Sequence, residues 1–160
     1  MDNLILKSLL SEKERKELVE EFNNFDKKKS DRFAKENVPN SRLSVLYHNK
    51  FKNLVQEVVG EDIKCLYTYM RKYTKGAELI KHTDKNEIYY TLSIQVDKSD
   101  NIPNPLILHY DDGNVELNLE NGDGALILKG FEIPHSRPIL ESEYMYQLFL
   151  FYYPLKKSLI

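Results

Sequence analysis

The stretch Leu106-Ile107-Leu108-His109-Tyr110-Asp111-Asp112-Gly113-Asn114-Val115-Glu116-Leu117-Asn118-Leu119-Glu120-Asn121-Gly122-Asp123-Gly124-Ala125-Leu126-Ile127-Leu128-Lys129 decides the fold class. Three short apolar runs, Leu106 to Tyr110, Val115 to Leu119 and Ala125 to Lys129, are separated by Asp, Asn and Gly, the residues that tolerate the positive φ of tight hairpins. The Asp111-Asp112-Gly113 acids lack the further acids of an EF-hand loop and read as a turn. Working outward, the same period of two runs through Ile63 to Tyr73, Tyr89 to Val96 and Glu143 to Tyr153. Many short strands punctuated in this way predict a sandwich, barrel or jelly roll.

The residues before Ile63 follow a different period. Ser11-Glu12-Lys13-Glu14 is a capping-box pattern, and Leu18, Val19 and Phe22 follow at helical spacing. A second helix is predicted between Lys50 and Val59, where Phe51, Leu54, Val55 and Val58 share a face and Gly60 supplies the stop. The lysine-rich Asn23 to Ser41 stretch reads as a long, mobile surface connection, and it and the Asp97 to Pro105 loop are candidate lids. The chain is thus one domain, 1–160, with helical support and a loop in 1–62 and a β core in 63–155.

Composition narrows the function. Hydrophobic residues are 41% and charged residues 30%, enough for a core and too interrupted by charge for a membrane span. A net charge of -2 leaves no overall field toward phosphate backbones, which disfavours nucleic acid as a partner. Cys65 is the only cysteine, so an intrachain disulfide is excluded, and with no signal-peptide pattern at the start a cytoplasmic location is expected. No Gly-rich phosphate loop and no Ser-centred elbow is present.

The chemistry must come from the four histidines. His82 is followed by Thr83 and Asp84, and in extended chain the first and third of these project to one face. One more histidine from a distant strand would complete two imidazoles and a carboxylate on one side of an ion, the ligand set of non-haem Fe(II) oxygenases. His135, beside Pro134, is the best third ligand, and His109 is its rival. His48 faces solvent or a backbone carbonyl and receives no role. Taken alone, a His-x-Asp pair is common enough to be a surface imidazole beside an acid, so the surrounding pattern has to carry it.

That pattern is Tyr73-Thr74-Lys75-Gly76, then His82-Thr83-Asp84, then Gly122-Asp123-Gly124-Ala125-Leu126-Ile127-Leu128, then Pro134-His135-Ser136-Arg137. In this order the sequence, from about Ile63 to Tyr153, resembles the Fe(II)/2-oxoglutarate-dependent dioxygenases, especially the prolyl 4-hydroxylase-like branch. The resemblance implies a double-stranded β-helix, a jelly-roll-like, cupin-type core. His82, Asp84 and His135 would then hold Fe(II), with 2-oxoglutarate and O2 as cosubstrates, and Tyr73 would hydrogen-bond the 2-oxoglutarate, with Thr91 in the same lining. Many members carry a Lys or Arg about ten residues after the far histidine for the distal carboxylate. Here that stretch reads Tyr144-Met145-Tyr146-Gln147, with no cation. Arg137, two residues past His135, takes that role unless it is a surface cation paired with Glu141 or Glu143.

The reading is therefore a hydroxylase that oxidises a C–H bond of a peptide or small-molecule substrate with formation of succinate and CO2. A jelly-roll protein that binds a metal or small ligand without catalysis is the alternative, and a nucleic-acid demethylase with the same iron chemistry is a more remote one. Tyr67, Tyr69 and Tyr73 share one strand face and read as packing, and Cys65 as a small buried hydrophobe.

Overall fold

Each segment of period two folds as a strand, and the strands make two sheets. The computed structural model describes residues 4–26, 28–34 and 36–156. In chain order it contains β1 (Leu4–Leu6), α1 (Glu12–Asn23), β2 (Glu36–Pro39), α2 (Arg42–Lys50), α3 (Lys52–Val59), β3 (Ile63–Thr74), β4 (Leu79–His82), β5 (Tyr90–Lys98), β6 (Leu106–Tyr110), β7 (Gly113–Leu117), β8 (Gly124–Leu128), β9 (His135–Arg137) and β10 (Tyr144–Pro154). The larger sheet runs β1-β8-β5-β10-β3-β2 and the smaller β4-β9-β6-β7, with every neighbouring pair antiparallel. The chain passes back and forth between the two sheets, which is the jelly-roll arrangement expected of a double-stranded β-helix.

Alternation along the strands gives the larger sheet two unlike faces. On the outer face Leu92 and Ile94 of β5, Leu148 and Leu150 of β10 and Met70 of β3 join Leu18 and Phe22 of α1, Tyr47 of α2 and Val55 of α3 in one buried cluster. Burial of each such Leu or Ile is worth about 1.5–3 kcal/mol, so this face contributes strongly to the fold's stability. The inner face carries Thr91 and Ser93 of β5, Phe149 and Phe151 of β10, and Tyr67, Tyr69 and Arg71 of β3, all lining one cavity between the sheets.

The helices are held where the sequence marks them. The Ser11 hydroxyl accepts from the Glu14 amide at 3.2 Å while the Glu14 carboxylate accepts from the Ser11 amide at 2.9 Å, closing the capping box of α1. Gly60, at φ 76°, ends α3 in the left-handed conformation that only glycine adopts without cost. The β6–β7 hairpin turns on Asp111-Asp112, after which Gly113 takes φ 135°.

Four features depart from the sequence expectation. The helix expected between Lys50 and Val59 is α3, preceded by a second one, α2, whose buried residues include Ser44 and His48, so its stripe is not apolar. The Asn23 to Ser41 stretch is not simply a mobile connection: β2 pairs the edge of β3, and Lys29 bridges to Asn37. Its polar composition is that of an edge strand, which need bury only one side. β1 likewise joins the larger sheet, so two strands come from the part read as helical support. β4 and β9, of 4 and 3 residues, are too short to show a period.

Candidate metal centre and its cavity

The two shortest strands build the site. β4 ends on His82 and β9 begins on His135, and the antiparallel register sets these residues opposite one another, with ring centroids 4.5 Å apart. Asp84 lies just past β4, where its amide donates to the Gly130 carbonyl at 3.0 Å. That bond brings its Oδ1 to 3.4 Å from His135 Nε2 and 3.7 Å from His82 Nε2. One ligand atom from each residue lies within 4.8 Å of the others, and among the described residues this is the cluster of His, Cys, Asp or Glu with such spacing. Lys129 adopts φ 55°, turning the chain out of β8 so that Gly130 faces Asp84. A methyl group on Gly130 would overlap the Asp84 carboxylate, so the glycine leaves that carboxylate its place.

Both imidazoles are oriented in the same way. His82 Nδ1 lies 2.7 Å from the Ile80 carbonyl and His135 Nδ1 2.8 Å from the Ile133 carbonyl. A carbonyl can only accept, so each Nδ1 carries a hydrogen, and in the neutral rings each Nε2 keeps a lone pair for an ion in the space it shares with Asp84. Burial, reinforced by the charge of its neighbours His135 and Arg32, lowers the His82 pKa below the ordinary value. Burial acts on His135 as well, yet the hydrogen bond and charge contact that its protonated ring makes with Asp84 outweigh it and hold that pKa above the ordinary value. Two neutral nitrogen donors and one carboxylate on one side, with the cavity on the other, fit a divalent transition metal with open positions.

The cavity beside these residues has a volume of about 460 Å³. Arg137, on β9, lines it and is 4% exposed. Its Nη1 makes a long bond of 3.4 Å to the Asn104 carbonyl, while Nε and Nη2 have no partner. It is therefore a buried guanidinium aimed inward, not a surface partner of Glu141 or Glu143. Burial lowers its pKa below the usual arginine value, and an unpaired buried cation is costly enough that its pocket is best matched by an anion. Thr91 also lines the cavity, with its hydroxyl unpartnered. Tyr73 is buried beside them and its hydroxyl accepts from Arg71 Nη1 at 3.4 Å; it is close enough for its oxygen to act on the charge of Arg137, though it stands behind the cavity wall.

His109 is not drawn into the cluster, because its Nε2 meets the Ser136 hydroxyl at 2.8 Å. His48 is buried, with Nε2 2.7 Å from the Phe151 carbonyl. Tyr67 and Tyr69, read as packing, instead form with Phe149 and Phe151 an aromatic wall of the cavity. Cys65 is only half-buried, with Sγ near the His48 carbonyl.

Sequence reasoning missed Arg71, Asp31 and Phe33. Arg71 donates from Nε and Nη2 to Asp31 Oδ2 at 3.1 and 2.9 Å, and its guanidinium packs on the rings of Tyr69, Phe33 and Phe149. Asp31 Oδ1 accepts from the amides of Phe33 and Ala34, both at 2.9 Å. Burial alone would raise the Asp31 carboxyl, but Arg71 and these two amides hold it below the ordinary value. Phe33 is thereby set against the His82 ring, with centroids 4.7 Å apart. The available signal was Arg71 itself, a cation on the inward side of β3 between Tyr69 and Tyr73.

No protein-family model and no curated protein matches the chain. Solved structures do match. The viral collagen prolyl hydroxylase of Paramecium Bursaria Chlorella virus-1, in complex with 2-oxoglutarate, superposes with a TM-score of 0.75 over 96% of both chains at 10% identity. HygX of Streptomyces hygroscopicus, with nickel and 2-oxoglutarate bound, gives 0.79 over 98% of this chain and 84% of its own at 11% identity. An oxidoreductase of the 2OG-Fe(II) oxygenase family from Burkholderia pseudomallei gives 0.77 over 94% and 85% at 10% identity. Two facing antiparallel sheets and these likenesses together give the chain the double-stranded β-helix fold of the 2-oxoglutarate- and Fe(II)-dependent oxygenases.

Proposed function

We propose that this protein is a Fe(II)- and 2-oxoglutarate-dependent dioxygenase that hydroxylates a C–H bond of a peptide or small-molecule substrate. The observation that carries the reading is the conjunction, in one cavity, of the His82–Asp84–His135 cluster and the unpaired guanidinium of Arg137. Such a pair of features accommodates a metal and an acid that chelates it. His82 Nε2, Asp84 Oδ1 and His135 Nε2 would hold the ion. Arg137 would take the distal carboxylate of 2-oxoglutarate, with Thr91 offering its hydroxyl to the same molecule, while Tyr73, which does not line the cavity, acts on the charge of Arg137. When bound, iron would activate O2, the oxidant, which takes two electrons from the keto acid and two from the C–H bond, so that substrate, 2-oxoglutarate and O2 become hydroxylated substrate, succinate and CO2.

The chain's own residues have three tasks. The Ile80 and Ile133 carbonyls keep both imidazoles in the tautomer that ligates. Arg137 neutralises the cosubstrate's far charge and thereby orients its keto-acid end toward the triad. The rings of Phe33, Tyr67, Tyr69, Phe149 and Phe151 keep water from the reacting atoms and offer the substrate an apolar surface. No helix among the described residues is long and apolar enough to cross a membrane, and a single unpaired cysteine suits the reducing cytoplasm.

Anaerobic addition of Fe(II) and 2-oxoglutarate should produce a visible charge-transfer band. Absence of that band would rule out chelation and favour a jelly-roll binding protein. With O2, succinate should form; His82→Ala, Asp84→Ala and His135→Ala should each abolish it and His109→Ala should leave most of it. A screen by mass spectrometry for a gain of one oxygen that depends on 2-oxoglutarate then identifies the substrate.

A further inference from the structure

The cavity walls carry more positive than negative charge, in a chain whose net charge is -2. Four cations line it, Arg32, Arg71, Lys85 and Arg137, against two acids, Asp31 and Asp84. A recess with such an excess and low-dielectric walls concentrates anions. The metal and cosubstrate do not remove the excess, because a divalent ion adds two positive charges and the 2-oxoglutarate dianion takes two away.

Pairing the groups off shows where the excess stands. Arg71 is held by Asp31 at 2.9 Å, Asp84 belongs to the metal cluster, and Arg137 is buried. Arg32 and Lys85 remain. Both line the cavity and yet are exposed, which puts them at its mouth, and among the described residues neither has an ion-pair partner. Glu87 is close enough to act on Tyr67 but does not line the cavity.

These two cations stand beside the metal cluster. Lys85 directly follows Asp84 in the chain. The Arg32 guanidinium lies 4.5 Å from the centre of the Phe33 ring, which packs on the His82 ring, and its charge is close enough to act on His82. Farther in, Tyr67, Tyr69, Phe149 and Phe151 make the wall aromatic. The cavity, of about 460 Å³, is toward the small end for ligand sites and must also take the cosubstrate, so the remaining occupant is small.

We propose that the molecule oxidised here is a small anion, a carboxylate or phosphate ester on an apolar skeleton, held by its charged end between Arg32 and Lys85 at the mouth with its carbon chain along the aromatic wall. This rests on the oxygenase reading above and narrows its substrate: neutral peptide segments and cationic molecules are set aside.

The test is calorimetric titration of the nickel- and 2-oxoglutarate-loaded protein with short aliphatic and phenylalkyl skeletons, each as carboxylate, phosphate ester, primary amide and amine. On at least one skeleton the carboxylate or the phosphate ester should bind about 10-fold or more tighter than its amide and amine, and the two anionic arms tell which headgroup is preferred. Arg32→Gln and Lys85→Gln should each weaken that probe about 5-fold, the upper range for one exposed ion pair. Arg32→Glu combined with Lys85→Glu should abolish the preference for the anion, and raising the salt should shrink it in the wild type. Nickel and 2-oxoglutarate affinities, measured first, should stay close to wild type in every variant. Amides that bind as tightly as the anions, a preference that survives the double charge reversal, or a set in which no anion binds would each overturn the proposal. If the nickel-loaded wild type does not bind 2-oxoglutarate, the oxygenase reading itself fails, and this substrate class with it.

Discussion

β5 and β10 each present two faces a side chain apart, and the faces differ in what they hold. Outward, Leu92, Ile94, Leu148 and Leu150 are fully buried against the helices in an apolar layer. Inward, Thr91 and Gln147 are just as dry yet keep polar atoms without partners, opposite an unpaired Arg137. One face stabilises the fold; the other leaves buried polar atoms unmet, which costs it stability. Exposure does not separate the two, since both are buried; the unmet hydrogen bonds do.

Four substitutions test that contrast. The largest effect belongs to the outer face: Leu150→Ala should cost about 2–5 kcal/mol in chemical denaturation, because the packed helices cannot close the space left. Arg137→Met should do the opposite, raising the stability of the metal-free protein by about 1–4 kcal/mol, as removal of an uncompensated buried charge does. Nickel and 2-oxoglutarate should then raise the melting temperature of the wild type and not of Arg137→Met, reversing their order. A variant less stable than the wild type without ligand would mean that Arg137 is a structural group, and the contrast would collapse.

Next in size, Gly130→Ala should lower nickel affinity about 10–100-fold by displacing the Asp84 carboxylate, while a thermal melt of the metal-free protein stays close to wild type. The smallest effect concerns a buried polar group that is satisfied. Burial holds the His48 pKa below its ordinary value of 6.5, against the opposing bond to the Phe151 carbonyl. The folded state therefore resists a proton that the unfolded chain accepts. Stability is complete above pH 6.5 and falls as the pH drops through the folded-state pKa, by at most about 1.4 kcal/mol per pH unit. His48→Gln lacks this titration, so its stability difference from wild type should narrow between pH 7.5 and 5.5; a constant difference would show that the fold leaves the His48 pKa where the unfolded chain has it.

What the sequence disclosed follows from the same contrast. The six long runs of alternating residues and the helices α1 and α3 were legible because an apolar layer forces a period on whichever residues face it. β4 and β9 are placed by two residues' worth of register and no periodicity, so the meeting of His82 with His135 was legible only as one candidate pairing, with His109 as rival, that the resemblance favoured. His82, Asp84 and His135 do converge, and Arg137 does turn inward. Arg71, Asp31 and Phe33 were hidden because their contacts join positions 40 residues apart, from a polar run to the middle of a strand.

The Asp31 carboxylate does two jobs at once: it clasps Arg71 on the cavity wall and, through the Phe33 and Ala34 amides, holds an aromatic shutter against the His82 ring. Shutter and wall thus share one carboxylate, to which the Asn37 amide also donates at 3.0 Å. An acid that claimed the Arg71 guanidinium for itself would take from Asp31 the partner that ties it to the wall, and leave residues 31 to 34 held by the Phe33, Ala34 and Asn37 bonds alone.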